Sequence, residues 1–462
     1  GDNWDMEKEK AKAKPKPPKG APKASAISPI WSPSEQAVES AQMTRFASQI
    51  VRKYHLERHA YADFYQWTVD NPEAFWSEIW DFCGVIASKK GATVLVDGDK
   101  MPGAKWFPDA RLNFAENLLR RGDQGDAFVF WDERGFQRRV SYSNLTSDVS
   151  RAQQALKALG LRPGDRAAAF IPNIPETGML ALAALSDGIV WSSCSPDFGT
   201  SGVLDRFGQI EPKVLFVADG YRYAGREYDV LERVAEIAEG LPSLRKIVVV
   251  PQLRAARDLA DVSGIPKAVL LDEWLRKFSP KEIEYAQLPF EHPAYILFSS
   301  GTTGTPKCIV HGAGGALLQT LKMYKLQFDV RPADRMFYFC TTNWVMWNLL
   351  FAGLAAEATV MLYDGSPFER GGNILFDYAE EERFSHFGTS AKFIDSLEKR
   401  ALAPIETHQL PALRMILSTG SPLVAESYDY VYSKVKQDVC LSSISGGTDI
   451  MAAFADANPI LP

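Results

Sequence analysis

Along residues 144–160, NLTSDVSRAQQALKALG, apolar side chains return at Leu145, Val149, Ala152, Leu156 and Leu159. That three-to-four-residue spacing lines one face of a helix, and Gly160 is placed to close it. The next apolar run, DRAAAFIP, has the length of a buried strand, and ETGMLALAALSDG is long enough for a helix. The strand signal returns in PKVLFVAD, RKIVVV and KAVLLD, with REYDVLERVAEIAEG predicting an intervening helix. Short apolar strands alternating with helices predict a parallel sheet covered on both faces. Further along, the pattern resumes in RMFYFCTT, ATVMLYDG, FSHFGTS and LRMILSTGSP. The expectation is an α/β protein with two βαβ-type sheet subdomains and no solenoid-like repeat.

Ahead of this regular stretch, YADFYQWTVDNPEAFWSEIWDFCG (61–84) is dense in aromatic side chains at mixed spacing. It predicts a helical cap whose aromatics pack as core against a larger body, with Asn71-Pro72 marking a helix start. Residues 7–23 instead hold seven lysines and almost no apolar side chain, so burial cannot repay the entropy of ordering them. They read as a solvated tail. Glu7 and Glu9 argue against a transit peptide, which avoids acids. The expected divisions are a Lys/Pro-rich tail over 1–35, an aromatic-rich helical cap over 36–115 and the α/β body over 116–462.

Length and composition narrow the function classes. A chain of 462 residues, 46% apolar and 23% charged, can bury more than one core. Its formal charge of −6 disfavours nucleic acid as the main partner, since phosphate backbones need a basic face. The longest apolar stretch, MLALAALSDGIVW, is interrupted by Asp187, so no membrane span is expected. The cysteines (Cys83, Cys194, Cys308, Cys340, Cys440) form no CxxC pair, which predicts neither a disulfide framework nor a zinc site and points to a reducing cytoplasm. His55 and His59 are an i, i+4 pair without a third ligand nearby, which reads as a solvated face.

The chemistry concentrates in AYILFSSGTTGTPKC, a predicted strand ending at Phe298 and running into a loop of small and hydroxylated residues before Lys307. Small residues let the backbone approach a polyphosphate, N–H groups and hydroxyls donate to its oxygens, and the ammonium neutralises charge. It is not a Walker A loop: Pro306 rather than Gly precedes Lys307, and Cys308 replaces the metal-binding hydroxyl. Pro306 also disfavours a helix running through the lysine, which argues against a P-loop kinase or ATPase; a plain flexible turn is the other reading, though so many hydroxyls before one lysine are more than a turn requires. Downstream, STGSP (418–422) ends a predicted strand in a polar turn, as suits the carboxyl-end crevice of an α/β sheet. There Ser421 and Pro422 also read as an N-cap and first residue of a helix. After the strand DVCLSS, SISGGTDI places Thr448 and Asp449, a hydroxyl and a carboxylate suited to phosphate and Mg²⁺, at a strand end.

The loop resembles the Ser/Thr/Gly-rich signature of the adenylate-forming acyl-CoA synthetases, the superfamily that includes luciferases and peptide-synthetase adenylation domains. WSSCSPDFGTSGVLDRFGQIEPKVLF, SHFGTSAKFI, ILSTGSPL and SISGGTDI, in that order, are most similar to the acetoacetyl-CoA synthetase branch, and the resemblance runs from Tyr61 to Ile450. It implies a large N-terminal domain with two sheets plus an incomplete β-barrel part. It also implies an AMP-forming acid–thiol ligase using ATP, CoA, Mg²⁺ and acetoacetate or a similar carboxylate. By the same resemblance ATP would meet Ser299, Ser300, Gly301, Thr302, Thr303, Gly304 and Lys307, then Gly420, Ser421 and Pro422, then Ser443, Ile444, Ser445, Gly446, Gly447 and Thr448. Lys307, Thr448 and Asp449 would be catalytic, Asp449 holding the metal. Trp344, Trp347 and Gly446 would wall the acyl pocket, with ordinary core as the other reading of the two tryptophans, and Arg222, Arg226 and Thr341 would meet CoA, with a solvated surface as the other reading of the two arginines. Gly446 and Gly447 stand where acetate-specific relatives carry bulky side chains, which implies a larger acid. The family pattern has Gly where Asn343 stands, and Glu where Asp449 stands. A ribose-binding Asp, an Arg and a mobile C-terminal domain with a catalytic Lys have no counterpart up to Pro462, so the expectation is a truncated chain nearly inactive alone.

Overall fold

A computed structural model describes residues 27–57, 60–299 and 304–462. Most of the tail expected over 1–35, His59 and the loop residues Ser300, Gly301, Thr302 and Thr303 lie outside the described residues. The 144–160 pattern folds as the helix Tyr142–Ala158. Ser141 caps it by accepting the Asn144 N–H, and Leu145, Val149, Ala152 and Leu156 are buried. Gly160 closes it at φ +77°.

Two seven-stranded sheets form the body. Across the first the order is Ala268–Leu270, Lys246–Val250, Val214–Ala218, Arg166–Phe170, Val190–Cys194, Pro293–Phe298 and Cys308–Gly312. Across the second it is Cys440–Ser443, Met415–Thr419, His386–Ser390, Arg335–Tyr338, Thr359–Asp364, Asp126–Asp132 and Gly135–Ser141. In each sheet six strands are parallel and the last is antiparallel, the second arm of a hairpin. Both sheets therefore share one plan: a five-stranded parallel core whose first strand stands fourth in the row, plus an attached edge hairpin. In the first sheet the hairpin follows the core in the chain, and in the second it precedes it.

The helix Pro175–Ser186 is buried on every side, the behaviour of a helix apolar all round. A Cβ on its Gly178 would lie 2.7 Å from the Phe128 ring of the second sheet, so this helix of the first sheet packs directly on the second. The aromatic cap is two helices, Tyr61–Asp70 and Pro72–Phe82, divided at Asn71 as expected. Phe64 and Phe75 each meet Phe46 edge-on at 5.9 Å, and Trp80 reaches Phe107 and Phe290 of the body. A three-stranded sheet, Ala87–Lys89, Arg111–Leu112 and Leu288–Pro289, lies beside the cap, and among the described residues no barrel closes. No helix there is long and apolar enough to cross a membrane.

The 226–240 stretch departs from expectation. Its first residues, Arg226–Asp229, pair antiparallel with Gly220–Tyr223, and the helix starts only at Leu231. Ala224 and Gly225 both take positive φ (52° and 79°), the two-residue turn that matches strand twist, and this turn outweighs the helical pattern.

Candidate active site

The Ser/Thr/Gly loop is the tip of the first sheet's edge hairpin, whose last pair is Phe298 with Cys308. At its base the Ser299 N–H donates to the Lys307 carbonyl (3.0 Å) and the Lys307 N–H to Ser299 Oγ (3.3 Å). Gln209 braces the loop from the side, its amide donating to the Pro306 carbonyl at 2.8 Å. Gly304 sits at φ +87°, a conformation that favours glycine, and Lys307 is exposed.

A cavity of about 310 Å³ opens below this loop at the carboxyl ends of both sheets. The first sheet contributes Ser193, Cys194, Leu297 and Phe298; the link after Arg335–Tyr338 contributes Thr341, Asn343 and Trp344. Thr448 lines the cavity from a small hairpin, Ser445–Gly447 with Ala452–Ala455. That link is tied to the first sheet. Ser193 Oγ donates to the Thr342 carbonyl, Thr342 Oγ1 to the Ile171 carbonyl (2.8 Å), and Trp347 Nε1 to Asn173 Oδ1 (3.1 Å). The cavity is thus a property of the two sheets together.

The Thr448 carbonyl accepts a bond from His311 Nε2 at 2.8 Å, which fixes the Nε2–H tautomer. Burial holds the His311 pKa below its ordinary value, against the opposing pull of the Thr448 carbonyl and the Asp449 carboxylate. His311 therefore serves as a neutral donor that seats the Thr448 turn. Asp449 is exposed beside it, and among the described residues no group of three or more His, Cys, Asp or Glu is arranged to hold a metal. One carboxylate fits Mg²⁺ held mainly by phosphate oxygens and water.

The strand ends 418–423 and 443–445 lie side by side. Ile444 N–H donates to the Ser418 carbonyl (2.7 Å), Thr419 Oγ1 to the Ile444 carbonyl (3.1 Å) and Leu423 N–H to Ser443 Oγ (3.4 Å). Gly420 takes φ +94°. Ser421 and Pro422 do not cap a helix: the next one begins at Ala425 after Val424, so both are left in the exposed link above the sheet.

Three placements correct the sequence reading. Trp347 does not line the cavity; it is 2% exposed in the core, stacked on Phe351 at 5.1 Å, because its helix Val345–Phe351 turns that face inward. A side chain at Gly446 would put its Cβ 2.3 Å from the Ala452 carbonyl oxygen, so the hairpin itself demands that glycine; only Gly447 faces open space. On the 220–229 ribbon Arg222 pairs across with Glu227, and Arg226 with Tyr223. Neighbouring pairs alternate faces, so the two arginines point to opposite sides and form no single basic patch. Arg222 is spent on Glu227 Oε1 (3.3 Å) and the Gln252 carbonyl (3.3 Å). Two residues escaped the sequence reading: Arg206, which lines the cavity with its guanidinium over Phe198, and Gln209. Both lie on or just after the helix Thr200–Phe207, and only their closeness in space to the loop reveals them.

A family profile described as AMP-binding enzyme matches residues 115–452, and one described as acetyl-coenzyme A synthetase N-terminus matches 61–118. The chain belongs to the AMP-binding enzyme family. It is 49% identical over 437 residues to an acetoacetyl-coenzyme A synthetase of Rhizobium meliloti (strain 1021), covering 95% of this chain and 66% of that protein. It is 40% identical to the acetoacetyl-CoA synthetase of Danio rerio (94% and 65%) and 37% identical to the malonamoyl-CoA synthetase vrtB of Penicillium aethiopicum (92% and 62%). The solved acetoacetyl-CoA synthetase from Streptomyces lividans superposes with a TM-score of 0.89 at 38% identity, over 94% of this chain and 67% of that one. The chain thus spans about two thirds of the length of these AMP-binding relatives.

Proposed function

We propose that this chain carries the adenylate-forming site of an ATP-dependent acid–thiol ligase whose acid is acetoacetate. The observation that carries the reading is the cavity at the carboxyl ends of the two sheets, lined by Phe298, where the strand runs into the Lys307 loop, and by Thr448, the neighbour of Asp449. The printed names of the bacterial and vertebrate relatives support the choice of acid.

In the first step a carboxylate oxygen attacks the α-phosphorus of ATP, the new C–O–P linkage forms, and pyrophosphate leaves with the electrons of the broken P–O bond. In the second, the CoA sulfur bonds to the activated carbonyl carbon, the C–O bond to AMP breaks, and the thiol proton is released. Lys307 and the loop hydroxyls neutralise the β- and γ-phosphates, and Thr448 Oγ donates to the α-phosphate; this is catalysis by position and charge. Asp449 would contribute one oxygen to Mg²⁺, which supplies charge neutralisation for the departing pyrophosphate. Trp344 walls the acid, and the open space at Gly447 suits one larger than acetate. CoA would approach through the crevice at Thr341.

Acid-dependent exchange of pyrophosphate into ATP, run with acetoacetate, acetate, a fatty acid and an amino acid, tests this. Acetoacetate is expected to give the highest rate; a higher rate with acetate or an amino acid overturns the choice of acid. A second reading, a ligase for another short-chain carboxylate, is favoured by the malonamoyl-CoA relative, and a malonamate arm in the same assay separates the two.

A further inference from the structure

The Thr448–Asp449 turn follows the last strand of the second sheet along the chain but is fastened to the edge of the first. Lys307 stands just before the edge strand Cys308–Gly312, His311 lies in that strand, and the helix Ala313–Lys322 follows it directly. Two side chains of this strand–helix unit reach the turn, one at each end. His311 Nε2 donates to the Thr448 carbonyl, and Gln319 Nε2 donates to the Met451 carbonyl. Among the described residues, these are the hydrogen bonds that join 445–455 to the rest of the molecule.

The turn between them does not hold itself. It closes only through the Met451 N–H, shared between the Gly447 (3.1 Å) and Thr448 (3.3 Å) carbonyls, with Met451 at φ +47°. A residue with a Cβ keeps that left-handed conformation only where its surroundings impose it. Here they are the burial of the Met451 side chain and the Gln319 amide on the carbonyl of the same residue. The outer arm of the hairpin adds little, since Phe454 is 79% exposed. Thr448 lines the cavity, and Asp449 lies exposed between the two tethered carbonyls. Both tethers are neutral donors, so they fix the turn without competing as cations for the Asp449 carboxylate.

We propose that Gln319 is a positioning residue for adenylate formation. By holding the Met451 carbonyl it sets the direction of the Asp449 carboxylate relative to the Lys307 loop, and with it the oxygen offered to Mg²⁺. This rests on the reading of the site as adenylate-forming. Gln319 bonds nothing in the Lys307 loop, so its removal separates the metal's contribution from that of the lysine.

The test measures ATP binding to the full chain by calorimetry, with and without Mg²⁺, and follows amide hydrogen exchange of residues 445–455. Gln319→Met keeps the length of the side chain and loses the donor. It is expected to leave ATP affinity without Mg²⁺ within about twofold and to cut the gain that Mg²⁺ brings at least fivefold. Hairpin exchange should accelerate at least tenfold, while the Pro293–Phe298 strand stays protected. Gln319→Lys, which can return a donor to the Met451 carbonyl, is expected to restore part of both effects. Gln319→Glu, of the same shape without the donor, carries the test if the methionine variant fails to fold. Unchanged hairpin exchange in the variants that lack the donor overturns the tether; faster exchange with an unchanged Mg²⁺ gain reduces Gln319 to a structural contact and overturns its positioning role. Asp449→Asn reports on the underlying reading: a Mg²⁺ gain equal to that of the wild type refutes the metal site, whatever Gln319 does.

Discussion

The two sheets follow the same strand plan and distribute bulk in opposite ways. At the centre of the first, Ala167, Ala168 and Ala169 face Val214, Leu215 and Phe216 across the ladder, small residues on the opening strand and large on the next. At the matching place in the second, Met336, Phe337 and Tyr338 face His386, Phe387 and Gly388. The alanine run leaves room for the wholly buried Pro175–Ser186 helix, whereas the second sheet fills its centre with the Tyr338 ring, over which Gly388 has no side chain. The edge hairpins differ in the same spirit. One ends in the nine-residue Ser/Thr/Gly-rich loop at 299–307, the other in a tight turn carrying Glu133. One plan thus yields a sheet with a long small-residue loop at its edge and a sheet whose edge closes in a tight turn.

The largest test of this contrast is Gly388→Ala. Its Cβ would fall 2.0 Å from the Tyr338 ring, which is fully buried and stands edge-on to Trp344 at 6.1 Å. A loss of about 3 kcal/mol or more in urea unfolding is expected from such overpacking, together with weaker ligand binding through the displaced Trp344. Near-native stability would mean the second sheet is not packed around that glycine.

Acid should act on the second sheet next. His386 is wholly buried between Ser385 Oγ and the Phe328 carbonyl, and burial, then the Arg414 charge, push its pKa down to about 4. Between that value and the ordinary 6.5 the unfolded chain binds a proton that the folded chain refuses. The His386 contribution to stability therefore rises with pH across this window and is lost, by about 3 kcal/mol, on acidification through it, while Asp364 and Asp456, raised by burial to about 7 and about 6, contribute with the opposite sign. The six parallel strands of the first sheet carry no histidine, so His386→Gln should subtract this contribution and leave a pH slope less positive than that of the wild type. An unchanged slope would place the acid-sensitive group elsewhere.

Lys307→Ala probes the first sheet's loop. Loss of a charged hydrogen bond to phosphate is expected to weaken transition-state binding by about 1.5–3 kcal/mol in pyrophosphate exchange, with the melting temperature unmoved. Wild-type exchange would remove the lysine from the site. The smallest effects separate the two hairpin glycines. Gly446→Ala should cost about 1–3 kcal/mol through its clash with the Ala452 carbonyl, and Gly447→Ala less than about 0.5 kcal/mol. Equal effects would refute the hairpin register.

The elements were legible where local chemistry decided them. The 142–158 helix announces itself by spacing and by its Ser141 cap, and the strands by short apolar runs. The row order of each sheet was not legible, because it depends on partners far apart in the chain, such as Thr359–Asp364 beside Asp126–Asp132. The 220–229 ribbon was hidden by a helix-like period that ran past the Ala224-Gly225 turn. Within the candidate site the Ser/Thr/Gly-rich loop and the Thr448 turn stood out by composition. Gln209 and Arg206 did not, since an ordinary helix end gives no sign that a loop almost a hundred positions away rests on it.

The bonds from Thr342 and Trp347 to Ile171 and Asn173 have a calorimetric consequence. They fasten the carboxyl edge of one sheet to that of the other at the very place where ligands would sit, and the Pro175–Ser186 helix seals the same seam from within. Neither half has a complete surface without the other, so the body should melt in a single transition. A nucleotide bound at the seam should raise that transition as a whole, by an amount that grows with the logarithm of its concentration.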